Sequence, residues 1–176
     1  MPTDPTTNPT ADDEAGASAD HAPIDAGSPA PEWSLPGDGD RTVSSNREGR
    51  PLVLFLYPKD DTSGCTREAV AFSALKPEFD AIGVEVVGLS PDGPKSHDRF
   101  VAKHSLTVPL ASDEDKAVIG ALGAWVEKSM YGRSYMGVDR STFLIDGGGR
   151  VARAWRKVKV PGHAEEVLEA ARELVA

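Results

Sequence analysis

Cys65 is the only cysteine among 176 residues, and its neighbours make its thiol a candidate nucleophile. A thiol reacts as the thiolate, and a helix N-terminus or a nearby cation favours that form. Thr62 and Ser63 are typical helix-capping residues, and residues 66–76 are rich in helix-forming side chains. The sequence therefore predicts that Cys65 lies in the first turn of a helix.

A buried sheet is predicted to position this helix. Residues 51–57 form a continuous apolar run, which is typical of a strand buried on both faces, and catalytic groups gather at the carboxyl ends of such strands. The helix that contains Cys65 is predicted to end near residue 79. The other predicted elements are a hairpin at 31–43, strands at 84–90, 108–110, 141–145 and 150–155, and helices at 95–104, 113–122 and 163–175. Their order predicts an α/β, thioredoxin-like fold, with a mixed central sheet, helices on both faces and an N-terminal β-hairpin. Residues 123–137 are predicted to be a Gly-rich loop whose aromatic side chains pack against the core, with lining of the pocket as the alternative.

The net charge of −9 comes from one end of the chain. Residues 1–40 carry nine acidic groups, and the first basic residue is Arg41. The rest of the chain therefore has equal numbers of acidic and basic residues, 19 of each. Residues 1–29 are therefore predicted to be a disordered acidic tail, and residues 30–176 a single domain. No basic cluster indicates nucleic-acid binding, and no apolar run indicates a signal peptide or a membrane span.

The residues alone allow several roles for Cys65. A dithiol oxidoreductase needs a second cysteine, which the chain lacks, and the lone thiol fits a reducing compartment such as the cytoplasm. A cysteine hydrolase needs a histidine base, for which His97, His104 and His163 are candidates. His97 and His104 are seven residues apart on one predicted helix, a spacing more typical of a solvated face. No metal-ligand cluster is present, and no metal or cofactor is expected. An inert, buried Cys65 in a binding or holdase module is the third alternative.

The sequence around Cys65 resembles the peroxiredoxins, and in particular their bacterioferritin-comigratory (Q-type) branch. The motif Pro58-x-x-x-Thr62-x-x-Cys65 is similar to the peroxidatic motif of that family. The similarity extends from about residue 30 to the C-terminus, in blocks at residues 30–36, 57–69, 89–92, 130–137 and 139–146. Several blocks in the same order make a stronger signal than one short motif.

The resemblance implies a role for each matching residue. Cys65 would be the peroxidatic thiolate, Thr62 the hydroxyl bonded to the sulfur and the peroxide, and Pro58 a lid that limits solvent. Arg140 would place its guanidinium beside the sulfur, and Glu68 would help to orient an arginine. Attack on the O–O bond builds negative charge on oxygen, which such donors stabilise.

The sequence departs from the family pattern at Val70, where many members of the branch carry a resolving cysteine. The expectation is therefore a one-cysteine peroxidase acting on hydrogen peroxide and organic hydroperoxides. Its Cys65 sulfenic acid would be reduced by an external thiol, either thioredoxin, glutaredoxin or a low-molecular-weight thiol. The protein is expected to be a cytoplasmic monomer or weak homodimer, with neither nucleic acid nor membrane as a partner.

Overall fold

A computed structural model describes residues 24–176 of the chain. Its strands are β1 (Ser34–Pro36), β2 (Thr42–Ser44), β3 (Leu52–Leu56), β4 (Glu85–Ser90), β5 (Leu110–Ser112), β6 (Trp125–Met130), β7 (Arg133–Val138), β8 (Ser141–Ile145) and β9 (Val151–Trp155). Its helices are α1 (Ser63–Ala81), α2 (Pro94–His104), α3 (Ala117–Ala121) and α4 (His163–Val175).

A five-stranded mixed sheet with β3 at its centre organises the fold. The strand order is β5-β4-β3-β8-β9, in which β3, β4 and β5 are parallel while β8 and β9 run antiparallel to their neighbours. All five residues of β3 are buried, because both faces of the sheet are covered. The mixed α/β architecture predicted from the apolar runs is confirmed.

Alternate residues of β3 enter two separate cores. Val53 and Phe55 pack beneath α1, α2 and α4, whereas Leu52, Leu54 and Leu56 pack on the side of α3 and the β1–β2 hairpin. This division follows from the two-residue period of a strand, which points successive side chains to opposite faces. The helices consequently lie on both faces of the sheet, as predicted.

The prediction of a loop across residues 123–137 is wrong. This segment forms the β6–β7 hairpin, closed by a two-residue turn in which Tyr131 and Gly132 both have positive φ. Such a turn matches the twist of paired strands, although it usually contains Asn-Gly or Asp-Gly. The predicted packing of the aromatic side chains is also wrong for Tyr131, which is 97% exposed, and for Tyr135, which is 44% exposed.

The helix predicted at residues 113–122 is shorter, because residues 113–116 form the turn that leads into it. Lys116 adopts a positive φ, which an interior helical residue avoids, and α3 therefore begins at Ala117. The carboxylate of Asp113 accepts a hydrogen bond from the backbone nitrogen of Ile119 (2.7 Å) and fixes this entry. The neighbouring strand is shifted by two residues from its predicted position, to Leu110–Ser112.

Backbone contacts with the domain begin before the predicted boundary at residue 30. The backbone nitrogen of Gly27 donates to the carbonyl of Val151 (2.7 Å), and Arg156 Nη2 donates to the carbonyl of Ile24 (2.8 Å). Residues 24–29 therefore pack beside β9, whereas residues 1–23 of the predicted tail lie outside the described residues. Within residues 24–176, no helix is long and apolar enough to cross a membrane.

Candidate active site

The turn from β3 into α1 places Cys65 at the carboxyl end of the central strand. Thr62 occupies the N-cap position, so Cys65 is the third residue of the helix and lies in its first turn, as predicted. The first hydrogen bond of the helix runs from the amide of Thr66 to the carbonyl of Thr62 (2.8 Å). The amides of residues 63–65 therefore have no acceptor within the helix, and they direct partial positive charge towards the site.

Arg140 reaches Cys65 because β8 runs antiparallel to β3. Ser141 pairs with Leu56, so the residue before β8 lies beside the last residue of β3. The Nη2 atom of Arg140 donates to Cys65 Sγ at 3.3 Å. A side chain at Gly64 would lie 3.3 Å from the same nitrogen, so glycine leaves room for the guanidinium.

Glu68 holds the guanidinium from the other side. Its Oε1 atom accepts a hydrogen bond from Arg140 Nη1 at 2.7 Å, one turn of α1 beyond Cys65. Burial raises the pKa of Glu68 to about 7, although Arg140 opposes this shift. Burial also disfavours the charged form of Arg140, but Glu68 and Cys65 outweigh it and raise the pKa of Arg140.

The raised pKa of Glu68 predicts a pH-dependent stability. The carboxyl binds its proton more tightly in the folded protein, with a pKa of about 7 against an ordinary 4.5. Its contribution to the free energy of unfolding is therefore full below about pH 4.5, and it is lost as the pH rises through about 7. Glutamine cannot ionise, so the free energy of unfolding of Glu68→Gln should not have this dependence. Relative to the unaltered protein, it should rise by about 1–3 kcal/mol between pH 5 and pH 8.

Urea unfolding at a series of pH values would measure this difference. Glu78→Gln is the matched control, since Glu78 lies on the same helix but is half exposed, and its difference from the unaltered protein should stay flat. A Glu68→Gln difference that is equally independent of pH would contradict the prediction.

Thr62 and Pro58 are close to Cys65 in sequence, but neither side chain is hydrogen-bonded to its sulfur. The hydroxyl of Thr62 donates to the carbonyl of Lys59 (2.9 Å), so the structure does not place the predicted hydrogen bond to the sulfur. Pro58 is half-buried at the start of the turn. The roles of Thr62 and Pro58 therefore stay predictions.

The three candidate histidine bases are engaged elsewhere. His97 contacts Asp60 and the carbonyl of Ala111, and His104 contacts Asp61. His163 is buried against the Thr142 hydroxyl (2.8 Å), and burial lowers the pKa of His163 to about 4. Among residues 24–176, no histidine is hydrogen-bonded to Cys65, an arrangement that does not favour a cysteine hydrolase.

His97 lies elsewhere than predicted, and it contacts Asp60, which no sequence pattern singles out. His97 was expected on a solvated face, but its side chain is fully buried. A signal was available, since His97, Phe100, Val101 and His104 follow the i, i+3, i+4, i+7 spacing of one helical stripe that contains two apolar residues.

The site combines a buried thiol, a guanidinium fixed by a carboxylate, and the free amides of a helix N-terminus. These groups can stabilise a thiolate and the negative charge that develops on an oxygen it attacks. Cys65 is the only cysteine in the sequence, and residues 24–176 contain no cluster of three metal-ligating side chains. The geometry therefore favours nucleophilic thiol chemistry.

The sequence and the fold are both similar to those of known proteins. Residues 26–154 match the AhpC/TSA family. The chain is 48% identical over 145 residues to peroxiredoxin Bcp of Xanthomonas campestris, covering 81% of this chain and 91% of that protein. It is 40% identical over 152 residues to peroxiredoxin Bcp of Bacillus subtilis, covering 86% and 97%.

Solved structures give the same result. The bacterioferritin comigratory protein of Xanthomonas campestris superposes with a TM-score of 0.81 at 43% identity, covering 86% of this chain and 100% of that one. BcpB of Mycobacterium tuberculosis gives a TM-score of 0.74 at 29% identity, covering 86% and 98%. These similarities confirm the predicted thioredoxin-like fold. The chain belongs to the peroxiredoxins, the thiol peroxidases of the AhpC/TSA family, and within them to the Bcp (Q-type) branch.

Proposed function

We propose that this peroxiredoxin works with Cys65 alone, and that an external thiol completes each catalytic cycle. The observation that carries the proposal is the hydrogen bond from Arg140 to the sulfur of the chain's only cysteine. Hydrogen peroxide and organic hydroperoxides are the proposed substrates. The Xanthomonas campestris relative, which has alkyl peroxide reduction activity, supports the second class.

In the proposed oxidation, the Cys65 thiolate attacks one oxygen of the peroxide. The S–O bond forms as the O–O bond breaks, and the leaving oxygen takes up a proton to become water or an alcohol. Arg140 and the helix amides would stabilise the charge on both oxygens. Thr62 would donate to the peroxide after its hydroxyl turns from the Lys59 carbonyl, and Pro58 would limit solvent.

Neither of two possible resolving positions carries a cysteine. Val70 lies five residues after Cys65 and is 42% exposed on α1. Two cysteine-to-serine variants of Xanthomonas campestris peroxiredoxin Q lie 36 positions apart, and this chain has Val101 at the same interval after Cys65. An intramolecular disulfide is chemically impossible with one cysteine.

An external thiol would therefore resolve the sulfenic acid. Its sulfur forms a mixed disulfide with Cys65 and releases water, and a second thiol then returns Cys65 to the reduced state. Thioredoxin, glutaredoxin and low-molecular-weight thiols are the proposed reductants. A reducing compartment such as the cytoplasm would supply them, and we propose a monomer or weak homodimer there.

Intact mass spectrometry after one equivalent of peroxide tests the proposal. We expect the oxidised protein to gain one oxygen, and then to gain one reductant when a low-molecular-weight thiol is added. Recovery of the starting mass with excess thiol would complete the cycle. Val70→Cys is the informative comparison, since a thiol at this position of α1 should divert the oxygen adduct to an intramolecular disulfide once the first turns of the helix unwind locally.

Two results would contradict the proposal. A protein that keeps its mass in peroxide would show an unreactive Cys65. A sulfenic acid that no thiol reduces, and that instead proceeds to sulfinic acid, would exclude a catalytic cycle based on an external thiol.

A further inference from the structure

The turn formed by residues 58–62 determines where Cys65 lies, because it connects Tyr57, the residue after β3, to the first turn of α1. Two features show that this turn is held in a specific conformation. Asp61 adopts a positive φ of 62°, which is uncommon for a residue other than glycine. Asp60, its neighbour, is a carboxylate that is only 7% exposed. Asp60 must therefore find its hydrogen-bond partners within the protein.

The carboxylate of Asp60 is fully engaged, chiefly by α2. Its Oδ2 atom accepts hydrogen bonds from Ser96 Oγ and His97 Nδ1, both at 2.7 Å. Its Oδ1 atom accepts from the hydroxyl of Tyr57 at 2.7 Å. The backbone nitrogen of Asp60 donates to Asp92 Oδ2 at 2.8 Å, beyond the end of β4. Groups from three parts of the fold thus converge on one turn residue.

His97 connects this turn to the edge of the sheet. Its side chain is fully buried, and its Nε2 atom lies 3.0 Å from the carbonyl oxygen of Ala111 in β5. A carbonyl and a carboxylate both accept hydrogen bonds, so both contacts are satisfied together only when both ring nitrogens carry hydrogens, which is the charged form of the ring. Burial opposes this charge, but Asp60 outweighs burial and raises the pKa of His97. Asp60 and His97 therefore form a buried ion pair.

We propose that the buried Asp60–His97 pair is a positioning device for the peroxidatic cysteine, holding the turn before α1 against α2. This proposal rests on the proposed function, since it concerns the attack of Cys65 on peroxide. Neither residue is hydrogen-bonded to Cys65; both act through the turn that sets the start of its helix.

Loss of the pair should affect two reactions of Cys65 in opposite directions. Attack on peroxide needs the sulfur, the Arg140 donor and the helix amides in fixed relative positions, and displacement by about 1 Å costs about a hundredfold in rate. Alkylation by iodoacetamide also consumes the thiolate, but it does not need this alignment, and access limits it because Cys65 is 1% exposed while the turn is held. A released turn should therefore slow oxidation and speed alkylation.

Two substitutions of His97 separate its two hydrogen bonds. Glutamine can place its amide nitrogen near the position of Nε2 and keep the bond to Ala111, whereas asparagine can place its nitrogen near Nδ1 and keep the bond to Asp60. Both are neutral and polar. Stopped-flow oxidation by hydrogen peroxide and alkylation by iodoacetamide are measured for both variants, with no reductant present.

We expect His97→Gln to slow oxidation by about 10- to 100-fold and to speed alkylation, while His97→Asn stays within about fivefold of the unaltered protein. His104→Ala is the matched control. His104 lies on the same helix and contacts the adjacent Asp61, but its side chain is 24% exposed, so both rates should stay within about twofold.

Oxidation of His97→Gln at the unaltered rate, or equal slowing of the two His97 variants, would overturn the proposal. If His97→Gln does not fold, Tyr57→Phe is measured in its place, since it removes one hydrogen-bond donor to Asp60. An oxidation rate within about twofold of the unaltered protein would then contradict the proposal. If the unaltered Cys65 itself fails to react with peroxide, the proposed function is wrong instead.

Discussion

Replacing Cys65 by serine is expected to abolish peroxide reduction, with a loss of more than about a thousandfold. Serine keeps the size and the helix position but cannot supply a thiolate at neutral pH, and the sequence contains no other cysteine. Arg140 and the helix amides cannot compensate, because they stabilise charge and do not themselves attack oxygen. Peroxide consumption in the presence of a thiol reductant measures the effect.

The control for this experiment is Met130→Leu. Methionine sulfur is also oxidised by peroxide, and Met130 is 54% exposed on the β6–β7 hairpin, so slow consumption by thioethers could resemble residual activity. This variant should keep the full rate. Turnover by Cys65→Ser within about tenfold of the unaltered rate, with an unchanged near-ultraviolet spectrum, would show that the reaction does not depend on Cys65.

Much of the fold could be predicted because its signals are local. The uninterrupted apolar run of β3 indicates a strand covered on both faces, and the capping residues before Cys65 indicate a helix start. Both predictions depend on residues that are neighbours in sequence. The β6–β7 hairpin was missed because its Tyr131-Gly132 turn lacks the usual Asn-Gly signal, even though both residues adopt the positive φ that such turns need.

The contacts of the site were harder to predict because they join distant parts of the chain. Arg140 lies 75 residues from Cys65, and only the family resemblance singled it out. Asp60 and His97 are 37 residues apart, and neither burial nor ion pairing can be read from the identity of a single residue. The raised pKa of Glu68 likewise follows from its burial, which depends on the completed fold.

These contacts give the site two layers with different tasks. Arg140 and the helix amides face the sulfur, while Glu68 on one side and the Asp60–His97 pair on the other fix the elements that carry them. Burying charges costs desolvation free energy even when they are paired, so these pairs give less stability than apolar packing of the same volume could give. The retention of these buried pairs is consistent with a site whose reaction rate depends on geometry.

Arg140→Ala is expected to slow the oxidation of Cys65 by about 10²- to 10³-fold, the range for losing one preorganised donor. The guanidinium donates to the sulfur, and it would also face the oxygens of the bound peroxide. The oxidation rate of Arg140→Lys should lie between those of Arg140→Ala and the unaltered protein. Lysine keeps the charge but lacks the planar fork that contacts Glu68 and Cys65 together. Stopped-flow oxidation under pseudo-first-order conditions measures all three rates.

A matched control and a double variant identify the cause of the loss. Arg153→Ala removes a half-exposed arginine paired with Glu166 and should leave the rate unchanged. Arg140→Ala also leaves the carboxyl of Glu68 buried without its partner, and this alone could distort the start of α1. In Arg140→Ala/Glu68→Gln that carboxyl is absent. If the rate stays low, the guanidinium acts on the reacting atoms; if it recovers, Arg140 serves only to neutralise Glu68. An Arg140→Ala rate within about threefold of the unaltered protein would remove Arg140 from the site.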